Sequence, residues 1–353
     1  MATYYVSTTG NNSNAGTSTG APWATITRAL DSTPAAGATL AAGDTVIIEA
    51  GTYTENPVVD VVGSATSTIT VRGVSAGWGT LTTDQFKSGT KPVNIVGQVT
   101  TSRGSGTTGY TKFENIAQSG ASGTGWDLGY LTYMCWINCS ANSNTGASSD
   151  GFSCRSYSKF IGCEANGNGR DGWNQLDSSA EVMAYINCLA KDNTRYGFHT
   201  YTNGIFLAFC TAHNNTSGNF YSGISPASGY TAINCTCDGP TTVGFRFGGR
   251  YNSLINCTMS NCTTGLTGYS AATEHTIDIA NLVYSNSTDC TNAPIGYLNQ
   301  TADPQYTDRS SDDFTLQQTS PCVNAGWPVY ADIGAKQIQV ARGFRIVDGG
   351  LCQ

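Results

Sequence analysis

Hydrophobic and polar positions alternate along this chain in short bursts, and the bursts repeat. The phrase INCSA at 137–141 returns as IGCEA at 161–165, INCLA at 186–190, AFCTA at 208–212, INCTC at 233–237 and INCTM at 255–259. Its cysteines fall at 139, 163, 188, 210, 235 and 257, so successive copies lie 22 to 25 residues apart. Alternation over five residues predicts a half-buried strand, with Ile137, Cys139 and Ala141 on one face. Asn138, Asn187, Asn234 and Asn256 then point to the opposite face. A second phrase answers the first in each repeat: DGFSC at 150–154, DGWNQ at 171–175, YGFHT at 196–200, GNFYS at 218–222, VGFRF at 243–247 and TGLTG at 264–268. It sets Phe152, Trp173, Phe198, Phe220 and Phe245 inward, and Leu266 continues the series. Turn segments such as ANSNTGASS and AKDNTR separate the two phrases.

A period of this length, made of strands and turns without a helix, predicts a solenoid in which stacking buries what one coil cannot bury alone. The expected fold is all-β, a right-handed parallel β-helix of about ten coils with two or three short strands per coil. Raw strand edges at the ends of such a stack need covers. At the front, APWATITRALDS places Trp23, Ile26 and Leu30 at helical spacing and predicts a short capping helix. The expected layout is an N-terminal cap at 1–42, the β-helix at 43–300, and an irregular closing segment and tail at 301–353, forming one domain.

Composition narrows the class. Glycine makes up 42 of 353 residues and charged residues only 12%, yet 39% are hydrophobic, including 18 Tyr, 12 Phe and 6 Trp. That is enough to bury a core and argues against disorder. A net charge of −7 without Lys/Arg clusters speaks against a nucleic-acid partner. No run of 18 apolar residues is present to span a membrane. The opening MATYYVSTTGNNSN lacks the basic and apolar regions of a signal peptide. Of the thirteen cysteines, the six that share one slot are expected to be packed thiols rather than bridges.

The opening YYVSTTGNNSNAGTSTGAPWATITRAL, the phrase GDTVIIEAGTYTE at 43–55 and the closing DFTLQQTSPCVNAG with DIGA resemble the pectate-lyase-like superfamily of right-handed parallel β-helices. The resemblance spans roughly residues 3 to 337. It implies the fold but does not select an activity, because that superfamily includes polysaccharide lyases, glycoside hydrolases, epimerases and bacteriophage tailspikes.

Candidate chemistry lies beside the second phrase. If its aromatics point inward, Ser153, Asn174, His199, Tyr221 and Arg246 point outward, Arg155 and Tyr201 follow two residues later, and Asp150 and Asp171 precede at the turn. A lyase needs a base for the proton beside a uronate carboxyl and a positive group for the enolate. His199 or Tyr201 with Arg246 or Arg155 supplies both, so His199 and Arg246 are the candidate catalytic residues. Asp150, Arg155, Asp171, Tyr201 and Tyr221 form the candidate glycan-binding strip. Asp150 and Asp171, one coil apart, are also candidates for a glycosidase pair. No dense acidic cluster marks a calcium site and no cofactor motif occurs, so no cofactor or metal is expected. Two functions compete. The first is a virion or cell-surface structural module of the tailspike, fibre or capsid-attached type, with a face for host glycans and with homo-oligomer or assembly partners. The second is a secreted lyase or hydrolase acting on an acidic polysaccharide. The expected location is accordingly virion or extracellular.

Overall fold

The computed structural model describes residues 1–34, 38–79, 91–175, 182–201, 204–223, 229–248, 252–268, 276–291, 299–328 and 331–334. The end of the expected closing segment, 335–353, lies outside the described residues. The chain divides into two compact units, Met1–Leu176 and Asp177–Val347, and each is a stack of coils in its own right.

In the first unit, one parallel sheet runs through Thr3–Val6, Thr45–Glu49, Ile69–Val74, Thr111–Glu114, Cys135–Ile137 and Lys159–Ile161. A second runs through Gly51–Thr54, Val93–Val96, Ile116–Ser119, Ser140–Asn142 and Glu164–Asn166. A third holds Trp126–Asp127, Phe152–Cys154 and Trp173–Gln175. The second unit repeats this plan over five coils. Its third sheet contains Tyr196–Thr200, Gly218–Ser222, Val243–Arg246, Thr264–Thr267 and Thr288–Thr291. The fold is the all-β right-handed parallel β-helix that the repeat predicts.

One local expectation is corrected. INCSA is a corner between the first and second sheets, not a single strand. Asn138, Asn187, Asn234 and Asn256 have φ of 49°, 52°, 51° and 53°, and Gly162 takes the same place in its coil at 61°. Asn is among the few side chains that tolerate this left-handed conformation, which explains its recurrence. The corner breaks the alternation. Trp136, Phe160, Tyr185, Leu207, Ala232 and Leu254 fill the core, while Ile137, Ile233 and Ile255 stand half-buried beside them. Nor do the asparagines share one solvent face. Asn138, Asn234 and Asn256 are buried, and Asn187 is exposed.

The six slot cysteines are buried thiols outside any disulfide. Each thiol donates to the carbonyl two residues earlier at 3.4–3.5 Å. Burial pushes the thiols of Cys139, Cys210 and Cys235 well above the ordinary range. Cys135, outside the slot, is disulfide-bonded. The inward aromatics stack as predicted. Trp126, Phe152 and Trp173 follow one another at 6.1 and 5.4 Å, and Phe198, Phe220 and Phe245 at 5.0 and 4.4 Å, with rings 6–7° from parallel. Such pairs contribute about 0.5–1.5 kcal/mol each beyond the area they bury.

A buried polar series accompanies them that the turn segments did not reveal. Gln118 donates to Asn144 at 2.9 Å and Asn144 to Asn168 at 2.9 Å, while in the second unit Asn193 donates to Asn215 at 2.8 Å. Each amide satisfies the next coil, which is what allows these groups inside.

The predicted capping helix is Ile26–Leu30. The Thr25 hydroxyl accepts from the Arg28 amide at 3.1 Å, and the Glu55 carboxylate accepts from the Ile26 and Thr27 amides at 2.8 and 2.9 Å. Trp23, Ile26 and Leu30 are buried beneath it. In the second unit, Tyr306, Phe314, Leu316, Cys322 and Ile333 pack with Leu282.

Candidate functional site

The candidate residues fall into two groups in the first unit and one in the second. In the first unit, Asp150 and Asp171 belong to the turns that feed the third sheet, and both are buried. Their expected outward placement is corrected for a physical reason: Asp150 is enclosed by its own partners. Arg170 grips it in a fork, with Nε donating to Oδ1 at 2.7 Å and Nη2 donating to Oδ2. The Asp171 amide donates to Oδ1 at 3.1 Å, and Asn174 Nδ2 donates to Oδ2 at 2.9 Å. A carboxylate so satisfied is a buttress for the turn rather than a contact for a ligand. Ser153 and Asn174, predicted to face out, are buried as well. Asp127, on the preceding coil, has its pKa raised by burial and then by the neighbouring Asp150 charge.

Arg155 stands in a second setting. Its guanidinium lies 5.9 Å from the ring of Tyr130, and Nη1 donates to the Ser105 hydroxyl at 2.5 Å.

In the second unit the structure brings His199, Tyr201, Tyr221 and Arg246 together and adds two residues not expected there: Arg195, which the sequence reading left in a turn, and Tyr196, which opens the second phrase. Strand register sets His199 opposite Tyr221 and Tyr221 opposite Arg246 on successive coils. Tyr196 and Tyr221 stack at 4.2 Å. Arg195 lies 5.1 Å from the Tyr196 ring and Arg246 4.9 Å from the Tyr221 ring. Beneath them His199 is only 2% exposed, with Tyr196, Tyr201 and Tyr221 at 4.8, 4.5 and 5.1 Å. Arg195 Nη2 lies 3.0 Å from His199 Nδ1. A guanidinium only donates, so Nδ1 accepts and the ring proton sits on Nε2. Burial, followed by Tyr221, raises the pKa of the Tyr196 phenol and keeps it protonated. Tyr201 is the exposed phenol of the group at 38%.

The cluster can therefore present two cations and several phenols to an anionic, hydroxyl-rich ligand, with His199 as an inner support. One signal in the sequence marks the missed pair. Arg195–Tyr196 stands directly before its Gly-Phe, as Arg170–Asp171 stands before its Gly-Trp. Among the described residues no group of three or more His, Cys, Asp or Glu side chains is placed to hold a metal ion.

No family model matches the chain, and no curated protein matches its sequence. Solved structures do. Pectate lyase Pel9A is similar over 96% of this chain and 96% of its own, with a TM-score of 0.60 at 18% identity. A rhamnogalacturonan lyase is similar over 88% of this chain and 92% of its own, with a TM-score of 0.53 at 16% identity. At such identities the likeness speaks for architecture, and it agrees with the stacked parallel coils of both units. The chain has the pectate-lyase-like right-handed parallel β-helix fold.

Proposed function

We propose that the chain cleaves an acidic polysaccharide by β-elimination, on the third sheet of its second unit. The observation that carries this reading is the pair of guanidinium–tyrosine stacks, Arg195 on Tyr196 and Arg246 on Tyr221, arranged around His199. Pectate lyase and rhamnogalacturonan lyase as structural neighbours support the same class of substrate. Removing the proton beside a uronate carboxyl builds negative charge on that carboxyl, and a guanidinium aimed at it stabilises the enolate more than the ground state. Arg246 and Arg195 take that role. Tyr201, exposed and 4.5 Å from the His199 ring, takes the proton as its phenolate. The electron pair left on carbon forms the double bond as the adjacent glycosidic C–O bond breaks, and the departing oxygen takes that proton back from the Tyr201 phenol. His199, covered by three tyrosine rings, acts as a positioning residue that fixes Arg195. Nothing described favours the virion module over this reading. A polysaccharide substrate would place the protein outside the cell.

The test is turnover of polygalacturonate, rhamnogalacturonan and alginate, followed by the ultraviolet absorbance of unsaturated products. Wild-type protein should yield them, and Arg246→Ala should lose about 100-fold or more in rate while its circular dichroism is unchanged. Retention on such a polymer without any product would reduce the reading to glycan binding. Neither retention nor product on any acidic polymer would end it.

A further inference from the structure

Three tyrosines of the first unit stand where the chain turns from the third sheet back into the first. Tyr110, Tyr133 and Tyr157 each lie one or two residues before a strand of that sheet, with φ of 41°, 58° and 59°. For a bulky side chain that conformation is uncommon and costs on the order of 1–2 kcal/mol per residue. In the second unit Gly204 stands before its first-sheet strand at φ 76°, the residue that needs no compensation. Phe209, at another corner, shows that one aromatic can be tolerated singly. Three in consecutive coils form a different object. Their rings stack at 4.8 and 4.5 Å, 21° and 6° from parallel. They do so at the surface, with Tyr133 37% exposed and Tyr110 and Tyr157 half-buried, so the stack is not explained by filling a core. Three residues before Tyr133 in the chain, Tyr130 is 51% exposed and carries near its face the guanidinium of Arg155, itself two residues before Tyr157.

From this placement we infer that Tyr110, Tyr133 and Tyr157, with Tyr130 and Arg155, form a second saccharide-holding surface, separate from the cluster of the second unit. The stacked rings offer a row of ring edges and phenol hydroxyls that advances by one coil at a time, a spacing suited to successive sugars of an extended chain. Arg155 supplies the charge complement for a uronate carboxylate, and the exposed Tyr130 ring supplies an apolar platform. The backbone strain is retained because glycine at these corners would remove the contact. The class of ligand, an acidic polysaccharide, rests on the proposed function. The residues and the location do not.

Glycine substitution separates binding from folding here, because it relieves the corner while deleting the ring. Retardation of the native protein in gels containing polygalacturonate gives an apparent affinity, with a neutral glucan as the control polymer. Tyr133→Gly combined with Tyr157→Gly should weaken retardation by about tenfold or more, equivalent to about 1.4 kcal/mol, while circular dichroism stays that of the parent. Arg155→Gln should weaken it selectively for the acidic polymer. Parent-like retardation in these variants overturns the inference, even where Arg246→Ala abolishes turnover. Loss of retardation here with normal turnover dependence on Arg195 and Arg246 supports both sites. Loss here with no effect of those two arginines supports this site and removes the proposed one. A parent protein that no acidic polymer retards overturns this inference, and the proposed function falls with it only where no product forms either.

Discussion

Asn256 makes the conformational argument measurable. It occupies the left-handed corner at φ 53°, is buried, and bonds twice to the C-terminal segment. Its Nδ2 donates to the Trp327 carbonyl at 2.6 Å, and its Oδ1 accepts from the Trp327 amide at 2.7 Å. Asn256→Gly keeps the backbone conformation and loses both bonds. At about 0.5–1.5 kcal/mol net per bond, it should cost about 1–3 kcal/mol. Asn256→Ala loses the same bonds and adds left-handed strain of about 1–2 kcal/mol. That strain is offset in part by the smaller unfolded-state entropy of Ala, about 0.4–1 kcal/mol. Alanine should therefore be the worse replacement by about 1 kcal/mol. Urea denaturation followed by tryptophan fluorescence reads both values as midpoint shifts at constant slope. Limited proteolysis of residues 300–334 should speed up equally in the two variants, because both release Trp327. If alanine equals or outperforms glycine, the account of the corner asparagines as conformational devices is wrong.

Two further perturbations probe other layers. Phe198→Ala removes a ring that stacks on Phe220 at 5.0 Å and is fully buried, and should cost about 3–5 kcal/mol in the same denaturation assay. A cost below that of Asn187→Ala, at an exposed corner, would mean that the inward column is misassigned. Burial pushes the Glu114 carboxyl up, but Arg72 and Lys112 together outweigh it and hold its pKa below the ordinary value. The unfolded state thus binds this proton more readily, so the stabilisation is complete above the unfolded carboxylate pKa of about 4.3 and is lost as pH falls through the folded value. Glu114→Gln should flatten that acid limb of stability against pH, and an unaltered limb would refute the assignment.

The sequence made the coil count, the inward aromatics and the front helix legible because each rests on a repeated or locally periodic pattern. Phe152, Trp173, Phe198 and Phe245 directly follow a glycine and Phe220 stands two residues after one, and all five are buried. The corner was harder to see, although its signal was present. Asparagine at the second place of INCSA, replaced by glycine in IGCEA, is the substitution pattern of a left-handed residue, whereas a solvent-facing strand position would accept many polar types. Counting the phrase as one strand put Ile137 on the core face, where the structure has Trp136 instead. The buried amides Asn144, Asn168, Asn193 and Asn215 were illegible for a related reason. Within turn segments rich in Asn, Gly and Ser, nothing local separates an amide that bonds the next coil from one that faces water.

The strip beside the aromatics shows where alternation stops being informative. His199 does lie on the opposite strand face from Phe198, yet it is as buried as the core because Tyr196, Tyr201 and Tyr221 fold over it. Asp150 is likewise closed off by Arg170 and Asn174. Phase sets the direction in which a side chain leaves the backbone, and the neighbours at the turns decide whether it reaches solvent. Arg195 and Arg170 come from those turns, each at the second place before a Gly-aromatic pair, and their long guanidinium stems can cover a strand residue one coil face away. The outer layer of the second unit is consequently Tyr201, Tyr221, Arg195 and Arg246, with His199 and its ring proton on Nε2 beneath. Under the proposed function, a polymer would meet the cations and phenols first. In the proposed mechanism the histidine acts only through the orientation it gives to Arg195, so replacing it should disturb catalytic geometry more than glycan retention.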